Sequence, residues 1–273
     1  MSIHYKTSPA AIISSLISHR ELIWELVKRD FIGRYKGSFI GVAWSLFNPL
    51  LMLVVYTLVF SVAFKARWGT GQESEVSFAL VLFSGMIVHG LFAECLNAAP
   101  RLITNHTNYV KKVLFPLEIL PWVAVVSALL HFLVSFSLLL VFIVVTGSDL
   151  NSGLLLVPIV MMPLIIMILG LSWIFASLGV YLRDVAQGMG IVTTVLLFLS
   201  PVFYPSSALP EGYRFLLKLN PITLPIEQLR DLILWDKVIQ WGDWGVSLLM
   251  SITIAWVGFW WFQKSRGGFA DVL

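Results

Sequence analysis

Apolar residues run along this chain in long blocks. Six stretches, residues 39–64, 78–99, 119–146, 154–182, 185–204 and 244–262, hold one acidic group, Glu94, and no Lys or Arg. An apolar run of about 18 or more residues can cross a bilayer as a helix. The pattern therefore predicts an all-α membrane protein with six transmembrane helices, the fifth marginal in length. The segments between them carry different patterns. Over residues 14–36, Leu22, Ile23, Leu26, Val27 and Phe31 share one arc at about 100° per residue. Glu21, Glu25, Lys28 and Arg29 share another, while Asp30 and Arg34 interrupt the apolar one. This predicts an amphipathic helix on the inner membrane surface, its basic groups beside anionic headgroups. Gly33, Gly37 and Gly41 would let the chain bend into the first span. Residues 100–114 form the longest inner connection between spans, with a short helix ending before Pro116.

Residues 211–235 are too polar to span and too apolar for a free loop. They predict two short helices, 211–219 and 225–235, broken at Asn220-Pro221. Phe215, Leu216 and Leu219, then Leu229, Leu232 and Ile233, give each a membrane-seeking face. Irregular backbone at membrane depth must be buried in protein or line a cavity. The pair therefore reads as a re-entrant hairpin in the outer leaflet beside a cavity.

Composition agrees with this pattern. The 273 residues are 58% hydrophobic and 12% charged, with a mean hydropathy of +0.88; a soluble domain carries about 25% charged residues. The formal charge of +3 has no clustered basic face away from the membrane flanks, which argues against nucleic-acid binding. The single cysteine, Cys95, permits no intramolecular disulfide. The first 38 residues have no apolar core and do not read as a secretory signal. With both termini inside, 12 of the 18 Lys and Arg fall on the inner side, as positive-inside bias requires. That bias rests on the opening basic stretch, because without it the two sides tie. Trp44, Trp122, Trp260 and Trp261 fall at inner boundaries, and Trp68, Trp241 and Trp244 at outer ones, where indole rings prefer to sit.

Polar groups inside the spans are candidate functional positions. Ser45, Asn48, Met52, Tyr56 and Val59 form one stripe of the first span, and Pro49 invites a kink there. A buried amide such as Asn48 must face protein or water rather than lipid. The stripe fits a helix-packing contact or a pathway wall. Ser127, His131 and Ser135 form a polar seam, for which a neutral His bonded to a Ser of another helix is the expectation. His89 and Glu94 lie about 140° apart around their helix and do not share a face. No G-x-x-x-x-G-K-[ST] loop, metal-ligand spacing or nucleophile elbow occurs in the sequence. Work on a substrate would thus draw on a gradient or on another chain. The first and last three spans show none of the mutual similarity that gradient-driven carriers usually have.

The order of motifs resembles one family throughout nearly the whole chain. "LVKRDFIGRYKGSFIGVAWSLFNPLL" is followed by "KKVLFPLEILP", "YLRDV", "SPVFYP" and "NPITLPIEQLRD". This resembles the permease subunit of type-2 ABC exporters of polysaccharides: O-antigen, capsule and teichoic acid. The resemblance implies a single transmembrane domain over residues 1–273, in the bacterial inner membrane with cytoplasmic termini. It implies a homodimer above two copies of a cytoplasmic ATPase that binds ATP and Mg, with no cofactor in this chain, moving a lipid-linked polysaccharide, O-antigen first. Residues 14–36 would be the interface helix, 100–114 the coupling region and 211–235 the outer gate. Trp44, Asn48, Tyr56, Phe60, Phe203 and Tyr204 would line the path, since aromatic faces suit sugar C–H surfaces. Arg29, Arg34 and Lys36 would steer the lipid diphosphate. Arg101, Asn105, Tyr109, Lys111 and Lys112 would serve coupling to the ATPase. Rival readings are a drug-like-substrate permease of the same fold, a membrane-embedded transferase and a scaffold without transport.

Overall fold

The computed structural model describes residues 7–59, 75–110, 115–147 and 152–273. Phe60, Lys111, Lys112 and the stretch containing Lys65, Arg67 and Trp68 lie outside the described residues. The described residues are helices and connections, with no strand among them. In chain order the helices are α1 (Pro9–Ser18), α2 (Arg20–Gly33), α3 (Trp44–Tyr56), α4 (Glu75–Ala98), α5 (Thr107–Val110), α6 (Ile119–Val145), α7 (Val157–Tyr181), α8 (Val185–Phe198), α9 (Arg214–Leu219), α10 (Thr223–Ile233), α11 (Trp241–Ser265) and α12 (Phe269–Val272).

Five helical stretches are long and apolar enough to cross a membrane: Gly41–Val59, Phe78–Arg101, Ile119–Val145, Gly153–Tyr181 and Trp241–Val272. The fifth predicted span is the shorter α8, of 14 residues. It rises about 21 Å against a hydrocarbon core of about 30 Å. It stops ahead of Pro201, whose ring removes a backbone donor. At the far end of α6, Gly147 takes φ +79°, a left-handed stop that glycine adopts freely.

The expected surface helix 14–36 is two helices, broken at His19 (φ −114°, ψ 18°). Ile23, Leu26 and Val27 pack on Ile119 and Val123 of α6. The apolar arc thus meets protein where lipid was expected, while Trp24 and Ile32 stay exposed. The period locates an apolar face without saying what covers it. Gly37 (φ +88°) and Gly41 (φ +60°) make the bend into α3, conformations that side chains with Cβ resist; Gly33 is simply helical.

Helix α4 is the centre of the bundle, with Ala79, Val81, Leu82, Ser84 and Val88 fully buried. α3, α6, α7, α8 and α10 all pack on it. α7 and α11 run closely together. A Cβ on Gly170 would come within 2.6 Å of the Ala255 backbone, and one on Gly258 would overlap the Gly170 carbonyl. Small residues permit such backbone approach between membrane helices. The outermost helices differ sharply from α4. Leu53 is the only buried residue of α3, and Met189 and Thr193 are the only ones of α8.

The hairpin follows the expected break closely, with α9 ending at Leu219 and α10 starting at Thr223. Its second membrane-seeking face is a correction. Leu229, Leu232 and Ile233 are buried in the protein core, whereas Phe215 and Leu219 of α9 remain exposed.

Candidate functional site

Three groups of residues converge on the C-terminal end of α4. Asp30 in the last turn of α2 and Arg34 just past its end, four apart, point at the bundle. Arg34 pairs with Asp30 (3.1 Å) and with Glu94 of α4. Burial lowers the Arg34 pKa, but the charges of Glu94 and Asp30 outweigh it and leave the value above the ordinary one. Glu94 also bonds His131 Nδ1 at 2.9 Å, and His131 Nε2 meets the Tyr35 hydroxyl at 3.1 Å. Ser127 donates to Asp30 Oδ2 at 2.6 Å. Asp30 and Arg34 broke the apolar arc because they serve this network. His131 was expected to bond a Ser; its partners are Glu94 and Tyr35, which the sequence could not bring near it. His89 faces the other way, bonding the Thr193 carbonyl of α8 at 3.0 Å, in line with its angular separation from Glu94.

The described part of the predicted coupling region is a series of short turns, Ala99–Arg101 and Thr104–His106, then α5. Tyr109 stacks between His106 (5.4 Å) and Phe115 (4.2 Å). Its hydroxyl accepts from Arg29 Nη2 at 2.6 Å. One contact thus joins residues predicted to serve headgroup steering and ATPase coupling. Arg101 and Asn105 are exposed. A cavity of about 570 Å³ opens here, with Arg29, Arg34, Arg101, Asn97 and Asn105 on its wall; Lys36 is exposed and stands outside that wall. The outer edge of the region is fixed by Arg266, which pairs with Glu118 at 2.6 Å and donates to the Phe115 carbonyl at 2.7 Å.

The predicted path residues divide by depth. At the start of α3 Trp44 donates its indole N–H to Ser38 (2.8 Å) and meets Phe47 edge-on. Asn48 is exposed on the uncovered side of α3 and bonds to no described residue. At the C-terminal end of α3 Tyr56 and Phe203 lean on the same cluster, Phe78, Val81 and Leu82 of α4, together with Trp235. Phe203 stacks on Phe198 at 5.6 Å. Tyr204 donates to the Phe198 carbonyl at 2.7 Å, satisfying an acceptor at the end of α8.

Two residues at this end of the molecule were missed. Arg230 is 1% exposed and donates to the carbonyls of Val81 (2.7 Å), Val202 (3.2 Å) and Pro201, and to the Ser84 hydroxyl. It ties the hairpin to α4 and to the Pro201 break. Its space comes from Gly85, where a Cβ would overlap the guanidinium. A cation between Leu229 and Leu232 on an apolar face was the available signal. Asn220 donates to the carbonyls of Leu196 (3.1 Å) and Leu199 (3.0 Å), and its Oδ1 accepts from the Ile222 amide. The hairpin break is thereby fastened to the end of α8.

A central helix packed by long apolar helices, two little-buried flanking helices, a polar surface of short turns at one end and a hairpin at the other together describe a helical membrane domain. The chain matches the ABC-2 type transporter profile over residues 21–234 and belongs to that family. It is 26% identical to the O-antigen export system permease protein RfbA of Myxococcus xanthus over 262 residues, covering 95% of this chain and 98% of the relative. Two proteins of the same name from Klebsiella pneumoniae are 25% and 24% identical over 254 residues, each match covering 93% of this chain and 95% of the relative. The chain is a multi-pass membrane permease.

Proposed function

We propose that this chain is the membrane-channel subunit of an ATP-driven exporter that carries lipid-linked O-antigen across the inner membrane, with both termini cytoplasmic. Two copies form the channel, and two copies of a separate ATPase beneath them bind ATP and Mg. The observation that carries the reading is the uncovered pair α3 and α8, with the Asn48 amide exposed on α3. An amide facing hydrocarbon loses its hydrogen bonds to water, so this face suits a second copy and an aqueous path. Tyr56, Phe203 and Tyr204 then offer sugar rings weak, repeated contacts, which let a polymer move on. The names of the relatives support O-antigen over other polymers.

At the inner side Arg29, Arg34 and Lys36 draw the lipid diphosphate toward the first span. Arg34 acts from a fixed position, because Glu94 and Asp30 hold it. Arg101, Asn105, Tyr109, Lys111 and Lys112 receive the ATPase, and the Arg29–Tyr109 bond passes its movement to α2. The test is co-expression with the partner ATPase, purification and reconstitution. A two-to-two complex whose ATP hydrolysis rises with lipid-linked glycan is expected. Export by this chain with no ATPase present would overturn the proposal, as would the lack of any ATPase partner.

A further inference from the structure

The cavity of about 570 Å³ beside α2 draws its polar wall from separate elements. Arg29 and Arg34 come from α2 and its end, Asn97 from the last turn of α4, and Arg101 and Asn105 from the turns that follow. The volume is within the range of about 300–1,000 Å³ typical of small-ligand pockets. Three guanidinium groups share this wall with one carboxylate, Asp30, which already accepts from Arg34 and Ser127. Glu94, behind Arg34, offsets a second cation, and one positive charge remains in excess.

Donors are also in excess. A guanidinium has five N–H groups. Arg29 gives one to Tyr109, Arg34 gives one each to Glu94 and Asp30, and Arg101 gives none to any described residue. Asn97 accepts from Thr193 through Oδ1 at 3.4 Å, and no described residue accepts from its amide N–H groups. Asn105 bonds to no described residue. All five residues are exposed, so a ligand in the cavity can reach them. Surplus donors and surplus positive charge call for an anion. A carboxylate offers two oxygens in one plane, whereas a phosphate offers at least three, directed to different sides. The cations here come from two different elements, which suits the phosphate, and guanidinium groups pair with it through a fixed fork. Tyr109 holds Arg29, and Glu94 and Asp30 hold Arg34, so these side chains lose less freedom on binding. Leu26, Leu102 and Val123 close the other side. Charge pairing against such an apolar floor is stronger than in open water.

We propose that this cavity is a phosphate site, and that a phosphate held there bridges α2 to the turns after α4. The phosphate of an anionic membrane lipid and the diphosphate of a lipid-linked glycan share this chemistry. Use of the site by an exported lipid rests on the export reading above; its chemistry does not. A filled site joins Arg29 and Arg34 to Arg101 and Asn105, so its occupancy is felt on the surface proposed to receive the ATPase.

The test uses the full-length protein in phosphatidylcholine nanodiscs, with inorganic pyrophosphate as the probe. Binding is followed by phosphorus NMR and by amide hydrogen exchange. Pyrophosphate should bind and slow exchange over residues 29–34 and 99–106 together. Arg101→Gln removes a cation that no described residue holds, so the melting temperature should not change. Binding should weaken about tenfold, the equivalent of one charge-assisted hydrogen bond, and Arg101→Lys should recover part of it. Lys264→Gln, the same charge change at an exposed position of α11, should bind as wild type; an equal loss in both variants would mean diffuse attraction and overturn the site. Adding phosphatidylglycerol to the nanodisc separates the two sources. Protection of both segments with loss of pyrophosphate binding assigns the site to the membrane lipid, and retained pyrophosphate binding assigns it to a diphosphate. Neither binding nor protection with either probe overturns the site, as does binding that Arg101→Gln leaves unaltered. Protection by polyglutamate alone overturns it in favour of an acidic partner chain. Phosphate binding by a chain that pairs with no ATPase would sink only the export reading; a working exporter without phosphate binding would sink only the site.

Discussion

Removing Arg230 should loosen the outer hairpin more than removing any other cation in it. In Arg230→Met the carbonyls of Pro201 and Val202 lose the donor they now have, while Val81 O keeps the Ser84 hydroxyl at 2.7 Å. Each buried carbonyl left without a donor costs about 1–3 kcal/mol, so two cost about 2–6 kcal/mol. Some of this is returned, because burial already opposes the Arg230 charge and pushes its pKa down to about 9. A net loss of about 3 kcal/mol corresponds to a melting shift of about 6–12 °C at 2–4 °C per kcal/mol. Arg230→Lys should fall between the two, since a lone ammonium cannot bridge both strands of acceptors. The molecule carries its own reporter: Cys95 is its one cysteine and is buried, so a thiol-reactive fluorophore labels it only on unfolding. Arg214→Met, at an exposed position, is the control and should stay within about 2 °C of wild type. An Arg230→Met protein melting within that margin would refute the reasoning.

Four further outcomes are expected. Glu94→Gln takes away the charge shared by Arg34 and His131. Amide hydrogen exchange over residues 30–36 should speed up while α7 and α11 are unchanged; equal exchange would show that the network does not hold α2. A double-mutant cycle of Arg29→Leu with Tyr109→Phe should give a coupling energy of about 0.5–1.5 kcal/mol in thermal melts, and simple additivity would dismiss the link. Gly258→Ala forces α11 off the Gly170 carbonyl and should cost about 1–3 kcal/mol; an unshifted melt would mean that the two helices part easily. Burial raises the pKa of Glu227 above 4.5, more than the Ser206 hydrogen bond lowers it. The folded state therefore holds that proton more tightly than the unfolded state. The stability this contributes is full below about pH 4.5 and lost as pH rises through the folded value. Glu227→Gln should melt above wild type at pH 8, with the gap closing toward pH 4.5. A gap that does not change with pH would contradict the assignment.

The spans, the hairpin break at Asn220-Pro221 and the bend at Gly37 and Gly41 were legible because each follows from local chemistry: a run of apolar side chains, a missing backbone donor, a positive φ. The division of α1 from α2 at His19 left no comparable mark, since His19 is an ordinary helix former in sequence. The turns that follow α4 were placed by their polarity and length. The bond from Arg29 to Tyr109 spans 80 residues of chain, and no periodicity carries information over such a distance.

The sequence by itself determined that this chain lives in a membrane, where its long apolar helices lie and which family it resembles, because burial in hydrocarbon selects residue types in long uninterrupted runs; that the predicted fifth span is only the 14-residue α8 came from the structure. Only the tertiary structure decided what each apolar or charged face meets. Leu26 and Leu229 were read as facing lipid and pack on protein. Arg34 and Arg230 looked like similar cations, yet one sits in a carboxylate network and the other among backbone carbonyls. A helical period fixes the angle of a side chain about its own axis, and the partner at that angle is set by how separate helices come together.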